Sequence, residues 1–180
     1  EAVSAGVALV PEDRQKTGLA TGLPIAANMT LPDLRSISTA GFISLSDERA
    51  KTAEFGKRLR IRMSGPTQLA GRLSGGNQQK IVIAKWVARG ARVFLFDEPT
   101  RGIDVGAKAE VFEVMDELAR NGAAILMVSS EMPEMQVADR ILVMRQGRIS
   151  GELPAGARQE DIMRLAAFEH ESGIIEESIQ

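Results

Sequence analysis

Two short stretches carry residues that could do chemistry together. In residues 93–100 (VFLFDEPT) an apolar tetrad ends in two adjacent carboxylates, Asp97 and Glu98. A buried strand would deliver both acids at its C-terminal end, where open α/β sheets bind ligands. There Asp97 can hold Mg²⁺, directly or through water, while Glu98 faces a water that attacks phosphorus. The plainer alternative is a strand end with two solvated acids and a turn at Pro99. In residues 73–76 (LSGG) two glycines stand just before a predicted helix. Gly75 and Gly76 let the backbone approach a bulky anion, and the helix start offers unpaired N–H groups at the positive end of its dipole. Ser74 adds a hydroxyl donor. Here the alternative is an ordinary turn capped by Ser74 or Asn77.

The elements around these stretches decide how they are held. Residues 7–10 (VALV), closed by Pro11, read as a buried strand, followed by a polar loop over residues 12–24. Residues 46–60 read as a helix with Ser46 as N-cap, acids early and bases late. Its end, KRLRIR at residues 57–62, reads as a solvated helix face. Residues 61–63 suggest a short extended piece. Residues 77–89 read as a helix stopped by Gly90, and residues 93–96 as a strand buried on both faces. Asp104 can cap a helix over residues 104–120, with Val105, Ala109, Phe112, Met115 and Ala119 as its apolar stripe. Asn121-Gly122 ends it. Residues 124–128 and 141–144 read as two more buried strands, with Gln146-Gly147 as a hairpin turn. Residues 159–168 form a modest helix, and the polar tail after His170 reads as disordered.

The strand-helix-strand order predicts an α/β fold with a parallel sheet. The expected division is residues 1–40, a strand and loop leading into helices; 41–92, a helical subdomain; 93–156, an α/β core; and 157–180, a C-terminal helix and tail. A net charge of −2 argues against a nucleic-acid binder. No apolar run is long enough to cross a bilayer, and the absence of cysteine excludes thiolate metal sites.

The order LSGG-x-QQ, helix, apolar tetrad, Asp-Glu-Pro-Thr and Gly-Ile-Asp resembles the ATP-binding cassette (ABC) ATPases. VPEDR (10–14), NMTLPDL (28–34), LSGGNQQK (73–80), DEPTRGIDVGAK (97–108) and VSSEMPE (128–134) resemble the second cassette of double-cassette sugar importers of the ribose, xylose and galactose type. The resemblance implies a partial P-loop NTPase fold with a helical signature subdomain. It implies ATP and Mg²⁺ as cofactors, Asp97 on the metal and Glu98 as the catalytic carboxylate. It further implies that Ser74, Gly75, Gly76 and Gln78 touch ATP held by a second cassette, the N-terminal half of the same parent chain. Asp104, Glu12 and Ser130 fall on nucleotide-contacting positions. The implied partners are transmembrane permease subunits and, indirectly, a periplasmic sugar-binding protein, at the cytoplasmic face of the bacterial inner membrane.

Three departures stand out. No Gly-x-x-x-x-Gly-Lys-Ser/Thr loop occurs in the sequence, so the chain reads as a cassette truncated before its phosphate loop. Lacking that loop's strand and helix, it is expected to self-associate. Glu12 stands where the family usually has glutamine, and Ser130 where it has histidine. A serine hydroxyl cannot supply imidazole's positive contact to a γ-phosphate, so the cassette's own site is expected to be slow. Two other readings are a non-catalytic docking module and a cassette of a DNA-repair ATPase. The latter usually carries a long coiled coil between its halves, and no heptad run separates Glu12 from Ser74.

Overall fold

The computed structural model describes residues 1–167, so the tail and His170 lie outside the described residues. The chain forms two compact units, Glu1–Ser129 and Ser130–Gln180.

In the first unit, β1 (Val7–Val10) runs into a polar loop that holds one π-helical turn, Arg14–Gly18. The Asp13 side chain caps this turn, accepting from the amides of Gln15 and Lys16 at 3.2 and 3.1 Å. Helix α1 (Ile25–Thr30) is followed by a 3₁₀ stretch, Leu31–Ile37, and a short antiparallel hairpin of β2 (Ser38–Thr39) and β3 (Phe42–Ile43). Helix α2 (Leu45–Arg58) starts earlier than its sequence suggests. Its cap is Ser44, which accepts from the Asp47 amide, whereas Ser46 donates to or accepts from the Ser44 hydroxyl. Helix α3 (Gly75–Ala88) absorbs both glycines of the LSGG stretch and ends before Gly90, whose φ of 81° suits only glycine well.

Strand β4 (Val93–Asp97) is central in a three-stranded parallel sheet, β1-β4-β5, with β5 spanning Ala124–Val128. Helix α4 (Val105–Arg120) makes the crossover from β4 to β5. Its N-cap is Asp104, as its sequence predicts, with the carboxylate accepting from the Ala107 amide at 3.0 Å. The buried stripe of α4 is Val111, Met115 and Leu118, rotated from the expected one: Val105 is 84% exposed. Val105 is the first residue of α4, and burial along the helix begins only at Val111.

The strands are not covered on both faces. Ala8, Val10, Phe94 and Phe96 are buried in one core with α3 and α4. The register Leu9↔Leu95↔Leu126 sits on the opposite face, and Leu9, Leu126 and Val128 are 52–56% exposed. A sequence of continuous apolar residues reports what a strand could bury on each side, not which helices are present to cover it.

The α2–α4 seam is charged. Arg60 and Arg62 lie beyond the end of α2, which corrects their reading as a helix face. They pair with Glu113 at 2.8 Å and Glu110 at 2.9 Å on α4, and Arg58 pairs with Glu117 at 3.5 Å. These exposed pairs are each worth under about 1 kcal/mol. Lys80 differs. It is 1% exposed, and its ammonium donates to the Arg60 carbonyl and to Glu110 Oε2, both at 2.8 Å.

The hydrogen bond from Lys80, reinforced by its charge and by that of Arg62, holds the Glu110 carboxyl below its ordinary value. A carboxyl depressed in the folded state contributes stability above its unfolded pKa, and that contribution is lost as pH falls through the folded pKa. Lys80→Met keeps the apolar stem but leaves the Arg60 carbonyl without its donor. It is expected to cost about 1.5 kcal/mol at neutral pH. Because Glu110 then loses its main stabiliser, the penalty should shrink in acid. Urea unfolding of the two proteins at pH 7 and below pH 4 checks both parts.

The second unit holds an antiparallel pair, β6 (Arg140–Arg145) and β7 (Arg148–Pro154), and helix α5 (Gln159–Ala167). Gln146 and Gly147, with φ of 48° and 75°, form the predicted tight turn. Ile141 and Val143 are buried with Ile162, while Leu142 and Met144 face solvent. So β6 alternates, as a strand in an antiparallel pair covered on one side should, and is not buried on both faces.

Candidate functional site

Asp97 and Glu98 stand at the C-terminal edge of the parallel sheet, where the sequence pattern puts them. Asp97 closes β4 and is exposed; Glu98 is half-buried. Glu98 adopts φ of 44°, a left-handed conformation that costs a non-glycine residue roughly 1 kcal/mol or more. Two backbone bonds hold it there. Its amide donates to the Val128 carbonyl at 2.9 Å, and its carbonyl accepts from the Arg101 amide at 3.1 Å. The following Pro99 and Thr100 are buried, which anchors the turn. The sheet edge thus carries two adjacent acids on a fixed backbone, Asp97 exposed and Glu98 half-buried.

The signature turn occupies another place. Ser74 is the N-cap position of α3, yet its hydroxyl does not cap the helix. It accepts from Asn77 Nδ2 at 2.9 Å instead. The first N–H groups of a helix have no intrahelical acceptor, so α3 presents uncapped amides. Ser74, Gly76, Asn77, Asp104, Gly106 and Arg62 line a cleft of about 310 Å³. The structure therefore brings the signature and Asp104 together; Asp97 and Glu98 do not line that cleft.

Packing supplies a second reason for both glycines. A Cβ on Gly76 would lie 2.5 Å from the Ala107 Cβ, and one on Gly75 would lie 2.6 Å from Arg14 Nη2. The sequence suggests the approach of an anion as the reason for these glycines; in the fold Gly76 also admits the close approach of α4, and Gly75 leaves room for the Arg14 guanidinium.

Gln78, expected on the ligand, is 1% exposed. Its Oε1 accepts from Arg14 Nε at 3.3 Å and Gln15 Nε2 at 3.2 Å, and its Nε2 donates to the carbonyls of Ala70 and Gly71 at 3.4 Å. It is a tie inside the protein and has no free group to offer a nucleotide. Glu12 is exposed and ion-paired with Arg101, so its carboxylate is already engaged beside the turn after β4. Ser130 is exposed and is the first residue of the second unit.

Arg14, Lys80 and Asn28 carry weight that sequence reasoning did not assign. Asn28 is 2% exposed; its amide oxygen accepts from the Ala20 amide at 2.8 Å while its nitrogen donates to the Ala20 carbonyl at 3.0 Å. The available signal was a polar residue inside an otherwise apolar helix pattern, which marks a buried polar tie.

Among the described residues no group of three or more His, Cys, Asp or Glu side chains could hold a metal ion. Mg²⁺ commonly takes one or two carboxylates and completes its octahedron with phosphate oxygens and water. Asp97, an exposed hard oxygen donor at the sheet edge, fits that demand.

The sequence model of the family described as "ABC transporter" matches residues 2–101. The chain belongs to the ABC transporter family. The cassette is 48% identical over 180 residues to the ribose import ATP-binding protein RbsA of Corynebacterium glutamicum, covering 99% of this chain and 34% of that protein. It is 47% identical over 175 residues to the RbsA of Roseobacter denitrificans, covering 97% and 34%. The chain thus spans about a third of the length of these curated relatives. Among solved structures it resembles a dimeric ATP-binding cassette in a post-hydrolysis state bound to ADP and Pi, with a TM-score of 0.68 and 21% identity over 84% of this chain and 64% of that one. A bacterial Atm1-family ABC exporter with ATP bound matches at a TM-score of 0.67 and 22% identity, over 91% of this chain and 27% of that one. The fold is that of the ABC cassette, an α/β P-loop NTPase architecture. No helix among the described residues is long and apolar enough to cross a membrane.

Proposed function

We propose that this cassette is part of the ATP-hydrolysing subunit of a bacterial ABC sugar importer. Ser74, Gly75 and Gly76 supply the signature in trans to ATP held by a second cassette, the N-terminal half of the same parent chain. Asp97 holds Mg²⁺, which neutralises phosphate charge when bound. Glu98 orients the attacking water in the cassette's own site. Asp104 lines the cleft beside the signature and keeps α4 in place. The observation that carries this reading is the separation of two chemically distinct edges. Uncapped amides open α3 at one cleft, and a carboxylate pair ends β4 outside it. A single site would place them together, whereas two sites shared between facing cassettes need them apart.

The family and its relatives support the remaining assignments. The subunit sits on the cytoplasmic face of the inner membrane, peripheral, against permease subunits, with a periplasmic sugar-binding protein as an indirect partner and no nucleic acid. Glu12 engaged by Arg101 and Ser130 in place of histidine both support a weak contribution from the cassette's own site. The exposed row of Leu9, Leu126 and Val128 supports self-association of the isolated chain.

One set of measurements tests the reading. The full-length subunit that contains this chain is expected to hydrolyse ATP. The 180-residue chain, whose sequence has no phosphate loop, should show no micromolar Mg-ATP binding by calorimetry and a mass above the monomer by light scattering. A full-length subunit that neither binds nor hydrolyses ATP would overturn the assignment.

A further inference from the structure

Arg14 connects three segments that the proposed function uses separately. Its backbone is fixed by the Asp13 cap and by the Thr17 hydroxyl, which donates to the Asp13 carbonyl at 2.8 Å. From there the guanidinium makes a three-way tie. Nη1 donates to the Arg101 carbonyl at 2.9 Å and Nη2 to the Gly102 carbonyl at 3.1 Å, both in the turn after Asp97-Glu98. Nε donates to Gln78 Oε1 at 3.3 Å, on the first turn of the signature helix. Gln78 is itself buried and holds the carbonyls of Ala70 and Gly71, just before the signature. Gly75 leaves the space that Arg14 Nη2 fills.

We propose that Arg14 is a positioning residue that sets the spacing between the signature turn and the turn after β4, so that the two edges of the cassette move as one body. The inference rests on the function proposed above. The planar fork of guanidinium is what the geometry uses: two parallel donors for two successive carbonyls and a third donor at an angle to them. Lysine carries the same charge on a similar stem, but a single ammonium cannot span Arg101, Gly102 and Gln78. A residue needed only for charge or for packing of its stem would be replaceable by lysine; one needed for spacing would not.

The test compares Arg14→Lys and Arg14→Met in the full-length subunit. Arg14→Lys is expected to keep the melting temperature while lowering kcat about tenfold, because small errors in positioning are costly to turnover. KM for ATP should change less than about twofold, since ground-state binding does not depend on the tie. Amide exchange gives a reading independent of activity. The Gln78, Arg101 and Ile103 amides, bonded to the Ser74, Glu98 and Thr100 carbonyls, should exchange faster together in Arg14→Met while the amides of β4 do not change. Wild-type kcat in Arg14→Lys, or kcat loss that tracks a loss of melting temperature in both variants, would overturn the proposal. So would unchanged exchange at those amides. If the wild-type subunit proved inactive, the proposed function would fall and the exchange experiment would still decide whether Arg14 ties the two turns together.

Discussion

Gly76→Ala is expected to destabilise the cassette by about 2–3 kcal/mol, because the added methyl overpacks a contact that has no slack. The Cβ would lie 2.5 Å from the Ala107 Cβ, and both atoms sit on helix backbones that cannot swing aside as a long side chain does. Relief requires α3 and α4 to part, and the core they share contains Ile81, Ile83, Val111 and Met115. Alanine's better helix propensity offsets at most about 1 kcal/mol of the cost. The partner variant Ala107→Gly removes the opposing methyl, so the double variant should be more stable than the sum of the two single effects predicts, a coupling expected when two residues share one contact. Chemical unfolding of the four proteins measures it. The cycle also separates the two roles of Gly76. If the glycine serves packing alone, ATP turnover in the full-length double variant returns with stability. If the backbone must also approach a phosphate, stability returns and turnover stays low. Additive single effects would show that the helices tolerate the methyl by moving.

How much of this was legible in the sequence depended on the range of the forces involved. β4 and its acids were readable because an apolar tetrad ending in Asp-Glu is a local pattern with a local consequence. The Asp104 cap and the Gln146-Gly147 turn were readable for the same reason. The start of α2 was missed because two serines, Ser44 and Ser46, compete for the cap; the backbone φ and ψ decide between them, and the sequence does not contain those. The buried stripe of α4 was misplaced because helical periodicity gives a spacing without fixing which residue meets the sheet edge. The burial of Gln78 was not legible for a different reason. A polar residue beside a signature reads as a ligand contact, while its burial follows from Arg14, 64 residues away in sequence. Lys80 hides the same way, among residues that look solvated until Glu110 arrives from α4. Buried polar ties are the hardest features to read from one sequence, because each needs a partner supplied by the tertiary fold.

The larger effect on activity is expected at Ser74. In the full-length subunit Ser74→Arg should reduce steady-state ATP hydrolysis about a hundredfold, the scale of losing a preorganised set of donors at the reacting phosphate. Ser74 is exposed, and its hydroxyl accepts from Asn77 Nδ2 at 2.9 Å without capping the helix, so the substitution need not disturb the fold. Asn77 keeps its second tie, accepting from the Arg62 amide at 2.8 Å, and the helix start survives. What changes is the cleft: a long cationic side chain enters the space beside the uncapped amides where, in the proposed arrangement, the partner cassette's γ-phosphate sits. Melting temperature should therefore stay near wild type while turnover falls. Ser130→Ala is the control. Ser130 is exposed and offers a hydroxyl with no cationic imidazole, so removing that hydroxyl should alter turnover less than about twofold. The ordering discriminates between the two sites. If the cassette works mainly through its own carboxylates, Ser130→Ala should hurt as much as Ser74→Arg, and equal losses would count against a signature that acts in trans. If Ser74→Arg alone stops turnover with the fold intact, the uncapped start of α3 is the part of this chain that the partner's nucleotide depends on.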